Sequence, residues 1–215
     1  MRAEIALILP GVLMFLWLAA AVASSPAGGA GDPANPDWPC IQRKVPEISA
    51  GMVWAGPEVP ETGTGWKESP QLAELAAKIS VRRLPTEEAQ KEIDRFAAEL
   101  GQDKDKQLTL LFAGVLQIIN AERSEIVAGI ERYARRQGAL ASRIGDATAE
   151  LNALRKKQDR SEADDAKITA LEEQLLWDTR VFDERQQSLS YVCESPVLLE
   201  QRLFALSRHI MSYLD

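Results

Sequence analysis

A coiled-coil repeat in the middle of the chain constrains the fold more than any other feature. Between residues 104 and 158 no residue breaks a helix more strongly than an isolated glycine. Within this run the residues of one face alternate at spacings of four and three, which is the heptad repeat of a coiled coil. A single helix of this length would extend roughly 80 Å, which is too long for a compact domain of this size. The repeat positions are Ile126, Ile130, Tyr133, Gln137, Leu140, Ile144, Ala147, Leu151 and Leu154.

The partner of this helix follows it in the sequence. Residues 158–165 are almost wholly polar, and Ser161 with Asp164 matches a capping box at the start of a helix. The same spacing then resumes, interrupted by two polar residues. We therefore predict an antiparallel coiled-coil hairpin whose tip lies near Arg160. The repeat positions of the returning helix are Ile168, Leu171, Leu175, Asp178, Phe182, Arg185, Leu189 and Val192.

A proline divides the returning helix from a last apolar segment. Because Pro196 lacks a backbone N–H, it either kinks the helix or begins a new one with Ser195 as its N-cap. Counting back from the tip places Cys193 opposite residues 125–128 and the last segment beside residues 108–119. The apolar residues of the last segment are Val197, Leu198, Leu199, Leu203, Phe204, Leu206, Ile210 and Leu214.

Two shorter helices precede the hairpin and are expected to complete a four-helix bundle at its base. Ser69 and Pro70 are typical of a helix start, Pro85 and Thr86 open the second helix, and Gly101 ends it. The predicted fold class is all-α: a small helical bundle over residues 69–215 with a long antiparallel coiled-coil hairpin. The apolar faces of the two helices contain Leu72, Leu75, Ala76 and Ile79, and Ile93, Phe96, Ala97 and Leu100.

An irregular segment at residues 37–68 precedes these helices. It is rich in proline and glycine, and it contains three of the five tryptophans, Trp38, Trp54 and Trp66. We interpret the segment as an extended strap that lies over the helical body, with the indole rings as anchors. The alternative is that these tryptophans line a pocket for a small ligand.

The first residues are typical of an export signal. Residues 5–23 are almost wholly apolar, follow Arg2, and end in the small residues Ala21 and Ala23. We predict that residues 1–23 are a cleaved signal peptide and that residues 24–36 are a flexible tether. The protein would then be periplasmic, with no membrane span after cleavage. The alternative is that the uncleaved apolar segment anchors the protein in the inner membrane.

The chain contains two cysteines, Cys40 and Cys193. In an exported protein two cysteines most simply form one disulfide bond, and two free thiols or an intermolecular bridge are the alternatives. The sequence has no C-x-x-C spacing, which argues against a redox motif or a zinc site at these residues.

The net charge argues against some classes of partner, and the reactive side chains argue against catalytic activity. The net charge of −7 argues against nucleic acid and anionic lipid as partners. His209 is the only histidine, and we interpret it as a surface or capping residue because a metal site needs several ligands. Ser195 beside Glu194 is explained as a helix cap and lies in no G-x-S-x-G motif. We predict no catalytic residue, no metal site and no cofactor.

Two blocks of the sequence resemble a set of known proteins. The stretches DWPCIQRKVPEISAGMVWAGP and YVCESPVLLEQRLFALSRHI resemble the end blocks of uncharacterised exported helical proteins of proteobacteria. The resemblance implies export and the pairing of the two cysteine-containing blocks, and the segment between them matches only as a coiled coil. It implies no activity and provides no catalytic residue.

A long exposed hairpin is costly to order, and an interaction role would account for it. We predict a non-enzymatic adaptor, assembly factor or chaperone-like protein that holds a protein partner in the cell envelope through the hairpin. The alternative is a periplasmic helical bundle that binds a small ligand through Trp38, Trp54 and Trp66. The candidate contact residues at the hairpin tip are Arg155, Lys156, Lys157, Arg160, Asp164 and Asp165.

Overall fold

A computed structural model describes residues 35–60 and 64–214 of this protein. The predicted signal peptide and most of the predicted tether lie outside the described residues. The described part is helical and contains no β-strand, so the all-α fold class is confirmed. The helices are α1 (Ala50–Val53), α2 (Pro70–Ser80), α3 (Thr86–Glu99), α4 (Lys104–Arg155) and α5 (Glu162–Met211), and a 3-10 turn covers Gly65–Glu68.

The base of the molecule is a four-helix bundle formed by α2, α3, the first part of α4 and the last part of α5. We call these parts of α4 and α5 their bundle halves. Each helix buries the face that its periodicity predicts, with Leu72 in α2 and Ile93 in α3 fully enclosed. Ser69 begins α2 as predicted, because its side chain accepts a hydrogen bond from the Leu72 N–H at 3.4 Å. The last part of α5 lies beside residues 108–119 in the same core, which confirms the predicted arrangement.

A buried arginine joins α5 to the end of α2. Arg202 donates to the Ile79 carbonyl through Nε at 3.0 Å and through Nη2 at 2.6 Å. It also donates to the Leu84 carbonyl through Nη1 at 2.8 Å. Carbonyls in the last turn of a helix have no helical partner, so the guanidinium satisfies groups that would otherwise be unpaired. Arg202 therefore fixes α5 against the connection between α2 and α3.

The outer halves of α4 and α5 form the antiparallel hairpin. α4 ends at Arg155, α5 begins at Glu162, and Ser161 with Asp164 forms the capping box, so the predicted tip is confirmed. The repeat positions of both helices are buried or half-buried, apart from the exposed Arg185. The coiled-coil seam therefore follows the residues that the spacing predicts.

Of the two alternatives at Pro196, the start of a new helix with Ser195 as its N-cap is wrong. α5 continues through Pro196 to Met211, and Ser195 is not an N-cap. The Ser195 hydroxyl instead donates to the Tyr191 carbonyl, one turn earlier, at 3.4 Å. Pro196 and Leu199 are both buried against the rest of the molecule. Inside a helix, proline costs one internal hydrogen bond and causes steric crowding. The packing of Pro196 and Leu199 outweighs this cost.

The segment before α2 lies along the helical body, as the strap interpretation predicts. Asn120 on α4 holds it through both of its amide atoms: Oδ1 accepts from the Ile48 N–H at 3.1 Å, and Nδ2 donates to the Ile48 carbonyl at 2.9 Å. Arg123, one turn further along, donates to the carbonyls of Val45 and Pro46. Polar side chains of α4 thus replace the backbone partners that an irregular segment lacks.

Candidate functional site

Two polar positions in the seam pair α4 with α5. Gln137 donates through Nε2 to the Phe182 carbonyl at 2.8 Å. Arg143 binds the Asp178 carboxylate through two hydrogen bonds of 2.8 and 2.5 Å, and these bonds lower the pKa of Asp178. Such polar pairs fix the register of one helix against the other. The surface of the hairpin therefore has a defined geometry along its length.

The predicted tip residues lie together and pair across the turn. Lys157 Nζ lies 2.7 Å from Asp164 Oδ1, and Arg160 Nε lies 3.1 Å from Asp165 Oδ1. The hydrogen bond from Lys157, followed by those from the N–H and hydroxyl of Ser161, lowers the pKa of Asp164 to about 2. The tip thus displays charges of both signs that its own ion pairs hold in place.

The two remaining tip candidates lie where α4 ends. Arg155 Nη2 lies 2.5 Å from Glu172 Oε1 on α5, and this pair closes one side of the seam near the tip. Lys156 is exposed. The structure therefore brings all the candidate tip residues to one end of the hairpin, where a partner could reach them.

Three large apolar side chains outside the coiled-coil repeat are exposed on the hairpin half of α5, and none of them was predicted as a contact residue. Leu176 is 71% exposed, Trp177 is 63% exposed and Tyr191 is 76% exposed. Leu176 and Trp177 lie between the seam positions Leu175 and Asp178, so they project outward from the coiled coil. The sequence could have indicated these residues, because large apolar residues lie outside the repeat, where a coiled coil normally has polar residues.

A disulfide bond joins the strap to α5 at the base of the hairpin, which is the simplest of the pairings predicted for the two cysteines. Cys40 and Cys193 form this bond within a small core that includes Trp38 and Ile130. Trp38 Nε1 donates to the Gln42 carbonyl at 2.7 Å, and the Gln42 side-chain amide donates to the Cys193 carbonyl. A covalent bond and a chain of hydrogen bonds thus fasten the strap where the hairpin meets the bundle.

The strap tryptophans lie in two different places. Trp38 belongs to the core around the disulfide, whereas Trp54 and Trp66 contact the core of the bundle. Trp54 stacks on Phe112 with the ring centroids 4.1 Å apart, and Trp66 is buried against Gly114. These contacts are those of anchors, and ligand binding by any of the three stays a prediction.

His209, near the end of α5, links this helix to α3. Its Nε2 lies 2.5 Å from Asp94 Oδ1, and the Tyr213 hydroxyl donates to the same oxygen at 2.7 Å. The hydrogen bonds from Tyr213 and then from His209 lower the pKa of Asp94. Within the described part of the chain, His, Cys, Asp and Glu side chains form no group of three or more able to hold a metal ion.

Among the described helices, none is long and apolar enough to cross a membrane. Comparison with protein-family models, with curated proteins and with solved structures gives no match for this chain. The resemblance to exported helical proteins of proteobacteria therefore stays a prediction. The features of the molecule that bear on function are the hairpin, its exposed side chains and the strapped junction at its base.

Proposed function

We propose that this protein is an exported, non-enzymatic interaction protein that holds a protein partner of the cell envelope through its coiled-coil hairpin. The observation that carries the proposal is the length of the hairpin. From the disulfide at Cys193 to its start at Glu162, α5 extends for roughly 45 Å. Over this length α4 and α5 bury one seam, and most of their surface faces solvent. The hairpin adds surface without enlarging the bundle core, which supports a binding role.

The side chains of the hairpin support a protein as the partner. Trp177 is exposed, and tryptophan is enriched among the residues that anchor protein interfaces. The tip adds charges of both signs, including the exposed Lys156, and a polar rim around an aromatic anchor is common in such interfaces. The net charge of −7 makes nucleic acid and anionic lipid poor partners.

The disulfide bond supports an exported location. Disulfide bonds persist in oxidising compartments such as the periplasm, and Cys40 and Cys193 form a buried one. Mass spectrometry of the periplasmic fraction should find a mature N-terminus near residue 24. Recovery of the intact chain in the inner-membrane fraction would support the anchored alternative.

Tip deletion tests the interaction proposal. Replacing residues 158–165 by a short turn should leave the helical circular-dichroism spectrum and the thermal transition of the bundle intact, because the tip contributes nothing to the bundle core. Periplasmic pull-downs with the variant should lose the partners captured by the wild-type protein. The proposal is wrong if the same partners are captured after the deletion.

A pair of aromatic substitutions locates the contact on the hairpin. Trp177→Ala should weaken capture of the same partners, because it removes the exposed anchor. Phe204→Ala is the matched control, since Phe204 is 47% exposed on the bundle half of α5. Equal loss of capture for both variants would contradict a contact that is confined to the hairpin.

The alternative of a ligand-binding bundle has its own readout. Binding near Trp38, Trp54 or Trp66 would change tryptophan fluorescence in a saturable way when periplasmic metabolites are added. A protein that acts only through its hairpin should give no saturable response to any of them.

A further inference from the structure

At two positions in the outer half of α4, no close contact within the chain requires a glycine. Gly138 and Gly145 lie in the interior of a long helix, where glycine is less favourable than alanine. A Cβ atom added at either position would have no neighbouring atom within 4 Å. Gly114 in the same helix is different, because a Cβ atom there would lie 2.9 Å from the ring of Trp66. Packing of the strap explains Gly114, whereas the other two glycines leave open space beside α4.

These glycines belong to a second row with coiled-coil spacing, next to the seam. Ala134, Gly138, Ala141 and Gly145 follow one another at spacings of four, three and four, and all of them are small and uncharged. The row on α5 that borders the same side of the hairpin has the spacing three, four and three. We call the two rows together the glycine face. The α5 row consists of Leu176, Thr179, Asp183 and Gln186.

Two open grooves lie along the glycine face. The groove next to the strap has a volume of about 580 Å³, and both helices line it, with Gly138 on α4 and Gln186 on α5. The groove nearer the tip has a volume of about 620 Å³ and is lined by Leu176, Thr179 and Asp183. The two grooves together border residues of both rows of the glycine face, on α4 and on α5.

A buried polar atom in the first groove points to something that fills it. Gln137 lines this groove and is only 8% exposed. Its Nε2 donates to the Phe182 carbonyl, but its Oε1 has no hydrogen-bond partner among the described residues. A buried acceptor without a donor is unfavourable. A molecule seated in the groove could supply that donor.

We propose that a second copy of this chain covers the glycine face, with the twofold axis parallel to the hairpin. Such an axis places α4 of each copy over α5 of the other and keeps equivalent residues at the same height. Asp178 pairs with Arg143, so Leu176, two residues earlier, lies level with Gly145. The exposed Leu176 of each copy then enters the gap beside Gly145 of the other, as a knob enters a hole.

The charges on the two edges agree with this arrangement. Phe182 lies level with Gln137, so Asp183 lies level with Arg136, one residue from Arg135. Asp183 has no ion-pair partner among the described residues, and the Arg135 guanidinium, paired with Asp37 at 2.7 Å, is half exposed. Because the α5 edge of one copy faces the α4 edge of the other, Asp183 approaches Arg135 of the second copy. Opposite charges therefore meet at the rim of the contact.

This contact leaves the proposed partner surface free. Trp177 and the tip residues lie outside the glycine face, so a dimer would present two partner surfaces on one assembly. The inference goes beyond the proposed function and is tested by different measurements.

Sedimentation equilibrium of the purified protein, expressed with its own N-terminal segment, measures the assembly directly. We expect twice the mass of one chain. Gly138→Leu combined with Gly145→Leu fills the space that the second copy occupies, and should raise the dissociation constant on the order of 100-fold. The space beside both glycines is open, so the variant should keep its helical spectrum. A wild-type protein that is monomeric at its highest soluble concentration overturns the proposal.

Matched variants show whether the dimer uses this face. Ala139→Leu combined with Ala153→Leu adds the same side chains to exposed positions of α4 outside the glycine face, and should leave the mass doubled. Leu176→Ser should weaken the dimer, whereas Trp177→Ser, the adjacent substitution, should leave it unchanged. A dimer that persists with Leu at both glycines, or that responds equally to the two serine variants, also overturns the proposal.

Discussion

Asp164 accepts hydrogen bonds from two residues at the point where the chain reverses. Lys157 Nζ lies 2.7 Å from its carboxylate, and the N–H and hydroxyl of Ser161 each lie 3.0 Å from it. These donors favour the ionised carboxylate, which is why the pKa of Asp164 falls to about 2. The carboxylate also lies at the start of α5, where the helix dipole favours negative charge. One residue thus joins the end of α4 to the beginning of α5.

Lys157→Gln should raise the pKa of Asp164 toward its ordinary value of 3.8, because the largest cause of the shift is removed. Because the pKa of Asp164 is lower in the folded protein than in the unfolded chain, the ionised carboxylate stabilises the folded state at pH values above 3.8. This contribution is lost as the pH falls from 3.8 through about 2. Carbon-13 NMR titration of the carboxyl group measures the change. Lys156→Gln, beside it on the tip, is the control, and an equal rise for both variants would contradict the assignment to Lys157.

Gly114→Ala should lower the free energy of unfolding by about 1–3 kcal/mol, because the new methyl group overlaps a tightly packed ring. The added Cβ would lie 2.9 Å from Trp66 and 3.0 Å from the Ala76 Cβ. Gly129→Ala in the same helix is the matched control. Its Cβ meets only the flexible end of Arg132 at 3.8 Å, so it should be neutral or slightly stabilising. Urea unfolding compares the two, and equal stability would contradict the close packing of the strap.

At the level of the helices, the seam between α4 and α5 combines apolar packing with a few polar pairs. Ile130 and Leu140 are buried on α4, and Leu171 is buried on α5. Between them Gln137 forms a hydrogen bond to the backbone of α5. Polar positions of this kind reduce stability but restrict the ways in which two helices can align. The hairpin therefore gains a single register from residues that weaken its core.

Gln137→Leu should raise the free energy of unfolding by about 1–2 kcal/mol, because it removes a buried acceptor that has no donor. The Phe182 carbonyl loses its bond from Gln137, but it lies within a continuous helix and keeps its place in the helical pattern. Thermal unfolding at low protein concentration, where association is weak, measures the effect. Gln137→Ala serves as the control, since it removes the same acceptor but leaves a cavity. A less stable leucine variant would show that the bond to Phe182 outweighs the unpaired oxygen.

For the molecule as a whole, the strap is the element that joins bundle and hairpin. It packs Trp54 and Trp66 on the bundle core and Trp38 on the core at the base of the hairpin. The disulfide closes a loop with a sequence separation of 153 residues, which includes α2, α3, α4 and most of the hairpin. Any opening of the hairpin base must therefore also disturb the strap.

Cys40→Ser with Cys193→Ser should lower the free energy of unfolding by on the order of 4–5 kcal/mol in the chain-entropy model, and by less where the unfolded chain stays compact. The reason is that the bond restricts the unfolded chain across a very long loop. Urea unfolding of the variant, and of the wild-type protein with and without reductant, measures the loss. The reduced wild-type protein should match the variant. An unchanged unfolding midpoint would show that noncovalent anchors alone hold the strap.

Much of the fold could be predicted because it depends on local periodicity. The positions of Leu140 and Leu171 in the seam, the turn at Ser161 and the helix start at Ser69 each follow from spacing or from capping chemistry. The choice between a helix that continues through Pro196 and a new helix that begins there could not be made this way. The local cost of a proline is visible in the sequence, whereas the packing that outweighs it comes from residues distant in the chain.

The candidate contact surfaces could likewise be predicted only in part from the sequence. The sequence placed Arg155 and Asp164 at the tip, because both lie beside the turn. It did not select Trp177 or Leu176, whose exposure depends on which faces of α5 pack against α4. It also could not separate Gly114 from Gly138, since helical glycines look alike until their neighbours in space are known.

The sequence by itself determined the helices, the hairpin, its tip and the candidate disulfide, because heptad spacing, caps and cysteine count are properties of the chain read in order. The tertiary structure alone decided which carbonyls Asn120, Arg123 and Arg202 satisfy, and which surfaces stay open. Those outcomes depend on contacts between residues far apart in sequence, and each such contact forms only when the whole bundle and its strap are in place.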